Sequence, residues 1–534
     1  MTSGIHHFTG ITANVQANVD FYVGFLGLRL VKRSGGFADA EQLHLIYGDG
    51  LGSPGSLLTF LVWEAAGRGG TGIGQVSELA LAVPPASLGD WLTKALAANI
   101  SIQGPSREFG ESVLRLKDPD GLIVKLVGVD MATPAPIAGS PARLRGVTLL
   151  TDKATETGSF LARFGYSEGE RSGPTRRMVS DTDIVDVREV SGFVQSVPGA
   201  GVPDHVAFRA PDADAIRSMR LSLKEHGPTE VHDRKYFLSL YVRDPAGILL
   251  EYATDEPGMT VDEAPDDLGR TLFLPPHEAD RGEDLKAMLP QFALPGEERF
   301  PVRDLPFIHR FNRPEDPDGT TLVLLHGTGG NEADLMPIAR RIAPRSTLLG
   351  VRGRAIEEGT NRWFRRFDAA TFDQADIRSE AEAFSAFVKG AVAGYGLDAD
   401  RLVFLGYSNG ANMLAAVIQL HPGLVRRAVL LRGIQALENP PVADLSETNV
   451  LLLSGRDDPY VHVAPELASP LIARGARVDF QQISAAHELA AADVAETSRW
   501  LRQNLSPAYE PGVDCSRGGI GASALPDPFG QQDH

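Results

Sequence analysis

The chain has 534 residues, too many for one hydrophobic core, with 43% apolar and 22% charged residues, the balance of a soluble protein built from three or four domain-sized units. Its 51 basic and 69 acidic residues leave a net charge of −18 with no basic run, which argues against nucleic acid or an anionic membrane as a partner. The single cysteine, Cys515, sits in a polar tail, so a disulfide framework and a thiolate metal cluster are excluded and a reducing, cytoplasmic setting is expected; without a basic-then-apolar leader or a run of about 18 apolar residues, neither export nor membrane crossing is expected.

In chain order, the first feature is a repeat. Lys117-Asp-Pro-Asp-Gly-Leu-Ile-Val-Lys-Leu-Val127 and Arg243-Asp-Pro-Ala-Gly-Ile-Leu-Leu-Glu-Tyr-Ala253 are both a Pro/Gly turn followed by an apolar strand, with one charge at the same offset, Lys125 or Glu251. What precedes each reads as a strand, a helix and shorter strands, and four such units can be drawn. The first runs from Ile5 through helix Gln16–Leu26 to strand Ser56–Trp63. The second begins at Val76, passes helix Ala86–Ala98 and ends near Val127. A Pro/Ala/Gly linker, Ala132–Pro141, follows, and then units over about Leu144–Val190 and Asp204–Ala253. The domains expected are module pairs at 1–131 and 142–258.

A β-α-β-β-β unit has one unsatisfied sheet edge and one open concave face, so units pair and a pocket forms between them. On the first strands of the four units the corresponding residues are His7, Glu78, Gly146 and His205. On last strands they are Glu251 and Lys125. Glu251 lies within an apolar run, where an unpartnered carboxylate is costly. Two histidines and one carboxylate around one pocket make the donor set of non-haem Fe(II) oxygenases, with coordination positions left open. Glu78 and Lys125 are expected to close the equivalent site of the second unit as an ion pair.

The stretches Gly4-Ile-His-His-Phe-Thr-Gly-Ile-Thr12, His44-Leu-Ile-Tyr-Gly-Asp49, Gly52-Ser-Pro-Gly-Ser-Leu-Leu-Thr-Phe60 and Asp233-Arg-Lys-Tyr-Phe-Leu-Ser-Leu-Tyr241 resemble the vicinal oxygen chelate superfamily, and within it the hydroquinone-type ring-cleaving dioxygenases. The resemblance spans about Ile5 to Pro290. It implies Fe(II) or Mn(II) on His7, His205 and Glu251, with His6, Arg234 and Tyr241 as catalytic groups around an aromatic substrate and O₂. Similar proteins often carry His-His where this chain has Asp204-His205, so a substrate-facing histidine is replaced by Asp204.

The segment 259–306, rich in Pro and acidic residues with one helix at Ala279–Met288, reads as a strap. Beyond it, over 307–505, strands alternate with helices, the pattern of a parallel sheet covered on both sides. Strands are expected at Thr321–Leu325, Ser346–Val351, Leu402–Gly406, Ala428–Arg432, Val450–Ser454 and Val478–Ile483, and helices at Ala333–Ile342, Ile377–Tyr395, Asn412–Leu420 and Asp493–Leu505. At Leu402-Val-Phe-Leu-Gly-Tyr-Ser408-Asn-Gly an apolar strand turns into a helix through small residues, the context of a nucleophile elbow. Gly165-Tyr-Ser167-Glu-Gly169 has the same letters but follows a helix end and is a decoy. In the order Ser, acid, His, each on a loop after a strand, the partners of Ser408 are Asp457 or Asp458 and then His487.

Asp458-Pro-Tyr-Val and His326-Gly-Thr-Gly resemble loops of the phospholipase/carboxylesterase branch of α/β-hydrolases, over about Thr320–Leu505. That resemblance favours Asp458 as the acid and implies an oxyanion hole from the backbone N–H groups of Thr328 and Asn409, with His326 structural. No cap-sized insertion separates the strands, so an open site is expected, with Trp363-Phe364 as rim or as core. The tail 506–534, polar and rich in Gly and Pro, is expected to be disordered.

The chain thus reads as an α+β array of paired vicinal oxygen chelate modules fused to an α/β-hydrolase. The activity expected is a metal-dependent dioxygenase joined to a serine esterase that needs no cofactor and acts on the ring-cleavage product or a related ester. A glyoxalase-like lyase or isomerase, or a non-catalytic aromatic-binding module, remains open for the first half, as does a homo-oligomeric state.

Overall fold

The computed structural model describes residues 4–192, 194–368 and 371–505, and Cys515 and the 506–534 tail lie outside them. Each of the first four units is a strand, a helix and a run of strands. In the first, Ile5–Thr12 leads to a short helix, Val15–Val19, whose first turn is capped by the Asn14 side chain accepting from the Ala17 N–H, and which continues as a π-helix over Asp20–Phe25. Its apolar face, Val15, Val19, Tyr22 and Phe25, enters the core of the first half. The repeated turns have one physical cause. Asp118 Oδ1 accepts the N–H groups of Asp120, Gly121 and Leu122, and Asp244 Oδ1 those of Ala246 and Ile248, while Gly121 and Gly247 take φ of +100° and +90°.

The sheets do not follow chain order. The expected division into consecutive pairs, 1–131 and 142–258, differs from the way the strands associate: the first unit joins the fourth in a nine-stranded sheet, and the second joins the third in an eight-stranded sheet. The seams are antiparallel, Ile5–Thr12 against Pro203–Ala210 and Gln75–Val83 against Leu144–Thr151. Sheet edges are satisfied by whichever strand the tertiary fold brings alongside, and sequence adjacency does not decide it. The consequence is that His7 and His205, far apart in the chain, lie on neighbouring strands.

The 259–306 stretch rests on both halves. Leu272–Phe273 extends the first sheet beside Arg29–Gly35, and buried Lys32 pairs with Asp262 at 2.6 Å. Leu289 and Phe292 pack into the core of the first half, while Ala287 and Met288, at the end of helix Gly282–Met288, pack into the second.

The second half is a seven-stranded sheet. His309–Asn312, which the sequence reading had not marked, is an antiparallel edge strand; Thr347–Val351, Thr321–Leu325, Leu402–Tyr407, Arg427–Leu431, Asn449–Gly455 and Arg477–Ile483 then run parallel. These strands are apolar because helices cover both faces. Helix Asn409–Leu420, buried along nearly its whole length, and Gln374–Tyr395 lie on one face, with Met336–Ile342 and Ala491–Leu505 on the other. Among the described residues no helix is long and apolar enough to cross a membrane.

Candidate active sites

Strand periodicity places the first site. His7 on Ile5–Thr12, His205 on Pro203–Ala210 and Glu251 on Leu249–Pro257 face one another across three adjacent strands, with their ligand atoms all within 4.8 Å. His7 Nε2 and His205 Nε2 stand 3.0 and 2.9 Å from Glu251 Oε2. Both lie off the line of a hydrogen bond, so neither oxygen of this fully buried carboxylate receives an aligned donor. Burial would raise the Glu251 pKa, but the two histidines outweigh it and hold the group well below the usual carboxylate range. A buried anion with two imidazole nitrogens converging on it and no aligned donor suits a cation. Among the described residues the cluster has three members, which leaves positions open on a metal.

Asp204, which lines the cavity, and buried His6 bond the Nδ1 atoms of the two histidines. Asp204 Oδ2 accepts from His205 Nδ1 at 2.6 Å, which turns Nε2 towards Glu251. Although burial opposes it, the Asp204 and Glu251 carboxylates raise His205 to about 9. Asp204 thus supplies an orienting carboxylate, a role the sequence motifs do not disclose. His6, implied to touch substrate, does not line the cavity. A register shift between Ile5 and His7 interrupts the strand alternation, and the buried His6 ring pairs Nδ1 with His7 Nδ1 at 2.8 Å and packs edge-on against Phe237. Burial, then the adjacent His7, push its pKa down to about 3, so His6 is neutral and can accept from His7.

A cavity of about 290 Å³ opens over His7 and His205. Arg234 and Tyr241 line it as the resemblance implied, the Tyr241 ring 5.5 Å from and perpendicular to His205, and the Arg234 guanidinium 5.7 Å from the Tyr241 ring. Burial and the Glu251 charge push the Tyr241 phenol up, so it stays protonated. Phe37, Ile46, Leu61 and Phe237 supply an apolar wall. His44 also lines the cavity, its Nε2 2.9 Å from Gln42 Oε1, with a pKa lowered to about 4 by burial and by Arg234. Its role went unread, although Gln42, His44 and Ile46 alternate as one strand face must.

The other half-barrel is closed by charge, as expected. Lys125 Nζ lies 3.1 Å from Glu78 Oε2 and bonds Thr148 Oγ1 at 3.1 Å, while Arg115 Nε bonds Glu78 Oε1 at 3.0 Å. By strand register Glu78 stands where the first sheet has His205, and Gly146, against the Ile184 backbone, where it has His7.

In the second half, Leu402–Tyr407 ends at Ser408, which has φ +50° and ψ −115°, and helix Asn409–Leu420 begins at once. The turn needs its glycines: a Cβ at Gly410 would lie 2.1 Å from Leu325 O, and one at Gly406 2.7 Å from Gly410 O. Such a conformation stores about 1–3 kcal/mol and lifts the hydroxyl clear of the sheet. His487 Nε2 is 3.1 Å from Ser408 Oγ, and its Nδ1 is 3.0 Å from Asp458 Oδ2. Asp458 is buried and Asp457 exposed. Ser167, by contrast, opens an exposed edge strand after a helix end.

Thr328 lies on the loop after Thr321–Leu325, and Asn409 is the first residue of its helix, whose opening N–H groups have no intrahelical acceptor. The close approach of Gly410 to Leu325 O and His326 O seats that helix against the loop. His326 is structural: Nδ1 is 2.6 Å from Gly327 O, and Nε2 accepts the Gly353 N–H at 3.0 Å. Trp363 and Phe364 belong to the core, and Trp363 Nε1 donates to His326 O at 2.9 Å.

Comparisons with known proteins divide at the same place. Residues 4–126 match the Glyoxalase/Bleomycin resistance protein/Dioxygenase superfamily, and residues 308–505 match Phospholipase/Carboxylesterase. MhqO of Bacillus subtilis, named as a ring-cleaving dioxygenase, is 34% identical over 47% of this chain and 84% of its own. The chlorohydroquinone/hydroquinone 1,2-dioxygenase of Sphingobium indicum is 30% identical over 46% of this chain and 84% of its own. MhqD of Bacillus subtilis, named as a hydrolase, is 30% identical over 34% of this chain and 93% of its own. The chain therefore belongs in its first half to the glyoxalase/dioxygenase superfamily, with the ring-cleaving dioxygenases as relatives, and in its second half to the phospholipase/carboxylesterase family.

Proposed function

We propose that the chain is a bifunctional enzyme, a metal-dependent dioxygenase that opens hydroquinone-like rings, joined to a serine hydrolase that acts on the ring-opened product or a related ester. The observation that carries the first half is the buried Glu251 carboxylate without an aligned donor, facing His7 and His205 at the floor of an apolar cavity. Relatives named for ring cleavage support the substrate class.

His7, His205 and Glu251 would hold Fe(II) or Mn(II), which when bound supplies the redox chemistry that joins the ring to O₂. Asp204 fixes the His205 tautomer and His6 that of His7, so that each presents its Nε2 lone pair. The apolar wall holds the ring and excludes water, and Arg234 attracts a phenolate. Tyr241, protonated and beside His205, can donate to a developing oxyanion. A closed four-ligand centre, as a lyase would use, is less compatible with three converging ligands.

In the second half Ser408 Oγ attacks the acyl carbon, His487 Nε2 takes its proton, and Asp458 holds His487 Nδ1–H. The N–H groups of Thr328 and Asn409 receive the oxyanion, a contribution of about 10²–10³-fold in such sites. His487 Nε2–H gives that proton to the departing alkoxide oxygen, which leaves as the alcohol. Water then attacks the acyl-enzyme with His487 again as base, releasing the acid and restoring the Ser408 hydroxyl, and no cofactor is required. The lone cysteine supports a cytoplasmic setting. The test is O₂ uptake on a panel of hydroquinones and catechols, with products identified by mass. His205→Ala should abolish uptake; Ser408→Ala should leave uptake intact and let the ring-opened product accumulate. Uptake that survives His205→Ala would refute the assignment.

A further inference from the structure

We infer that Arg432 and Asp493 are positioning residues that hold the His487 loop in register with Ser408; this rests on the hydrolase reading above. Strand Arg427–Leu431 lies between the strand that ends at Ser408 and the strand that leads to Asp458. At its tip, Leu431 O accepts the Ser408 N–H at 2.8 Å, and the Arg432 N–H donates to Leu453 O at 2.9 Å. Arg432 itself takes φ +56°, which turns its side chain away from the strand line. One two-residue step is therefore bonded to the backbone of the nucleophile and to the strand of the acid.

The Arg432 guanidinium completes the junction. It is fully buried and grips Asp493, also fully buried, through Nη1–Oδ1 at 2.7 Å and Nη2–Oδ2 at 2.9 Å. Its Nε donates to Ala486 O at 2.9 Å and its Nη2 to Glu488 O at 3.2 Å, the carbonyls on either side of His487. Asp493 Oδ2 also accepts the Ala490 N–H at 2.8 Å. The loop between Arg477–Ile483 and Ala491–Leu505 has no regular structure; apart from the Arg432 bonds, the Tyr407 hydroxyl donates to His487 O at 3.1 Å, and the His487 ring stands 5.7 Å from the rings of Tyr407 and Tyr460.

A buried ion pair adds little to stability compared with a well-packed apolar pair. What an apolar pair cannot supply is a rigid fork with donors aimed at two carbonyls. That fork fixes the backbone from which the imidazole must reach Ser408 on one side and Asp458 on the other, where a misplacement of about 1 Å costs on the order of 10²-fold in rate.

The test uses the full chain with a neutral p-nitrophenyl ester, rates being divided by the number of Ser408 sites labelled to completion by a fluorophosphonate. In Arg432→Lys a cation remains for Asp493 but cannot hold both carbonyls; in Asp493→Asn the shape remains and the charge is lost. Each should lower kcat per labelled site ten-fold or more with KM within two-fold of wild type. If only the yield of folded protein drops and each labelled site turns over at the wild-type rate, the pair is a fold element and the inference is overturned. Should Arg432→Lys not fold, Asp493→Asn decides alone. Wild-type protein that neither labels nor hydrolyses would instead overturn the hydrolase reading.

Discussion

Replacing Asp204 by Asn should weaken metal binding without unfolding the protein. The 2.6 Å contact from Asp204 Oδ2 to His205 Nδ1 is a charge-assisted bond that makes the opposite nitrogen a better donor and fixes the ring plane. Asn retains an acceptor oxygen but not the charge, so the ring stays in place and its basicity falls. Partners of this kind are worth about 10–100-fold in metal affinity, or about 1.4–2.8 kcal/mol. The Asp204 side chain is 30% exposed, so the effect on folding should be small. Anaerobic titration with Fe(II) or Mn(II) against a competing chelator reads the affinity, and thermal unfolding of the metal-free protein reads the fold. Asp204→Asn should show the weaker Kd at an unchanged Tm, and Asp204→Ala a larger loss. A folded Asp204→Asn that binds metal as tightly as wild type would refute the orienting role.

The ion pair of the second half-barrel predicts a pH dependence. Burial would raise the Glu78 pKa, but Lys125 and Arg115 outweigh it and lower it from 4.5 to about 2. A carboxylate whose folded pKa is depressed stabilises the fold above its unfolded pKa, and that contribution is lost as pH falls from about 4.5 towards 2, up to roughly 3 kcal/mol. Denaturation curves between pH 6 and 2.5 should therefore steepen less for Glu78→Gln than for wild type; parallel curves would exclude the pair as the cause. Gly410→Ala should cost several-fold more than an ordinary Gly→Ala change, since its Cβ would meet Leu325 O at 2.1 Å, and should lower Tm and labelling of Ser408 together. Asp458→Asn should lower hydrolysis on the order of 10³–10⁴-fold, whereas exposed Asp457→Asn should stay within about two-fold; the reverse ranking would reassign the acid.

Much of both sites was legible because it rests on local patterns. The elbow at Ser408 is a contiguous strand–turn–helix signal, and Asp458 and His487 each follow an apolar strand, so fold order alone locates them. His7, His205 and Glu251 stood out as polar residues at equivalent points of a repeat. What escaped notice depends on tertiary pairing. Chain order suggested the first unit with the second, but Ile5–Thr12 pairs with Pro203–Ala210, a choice made by burial of edges between distant segments. His6 looks like a substrate contact beside His7, yet its ring, buried at a register irregularity of the strand, bonds His7 and packs on Phe237, so that it supports its neighbour. Arg432 and Asp493 carry no motif, and only packing shows that the guanidinium reaches the carbonyls around His487.

The central claim is that His7, His205 and Glu251 support insertion of O₂ into a bound hydroquinone. Its most direct test is reaction of Fe(II)- or Mn(II)-loaded protein with hydroquinone under ¹⁸O₂, with mass analysis of the ring-opened product in the Ser408→Ala background. The account predicts one O₂ consumed per ring, incorporation of label from O₂ into the product, and none of this in His205→Ala. Loaded protein that binds hydroquinone in the cavity but consumes no O₂ would contradict it.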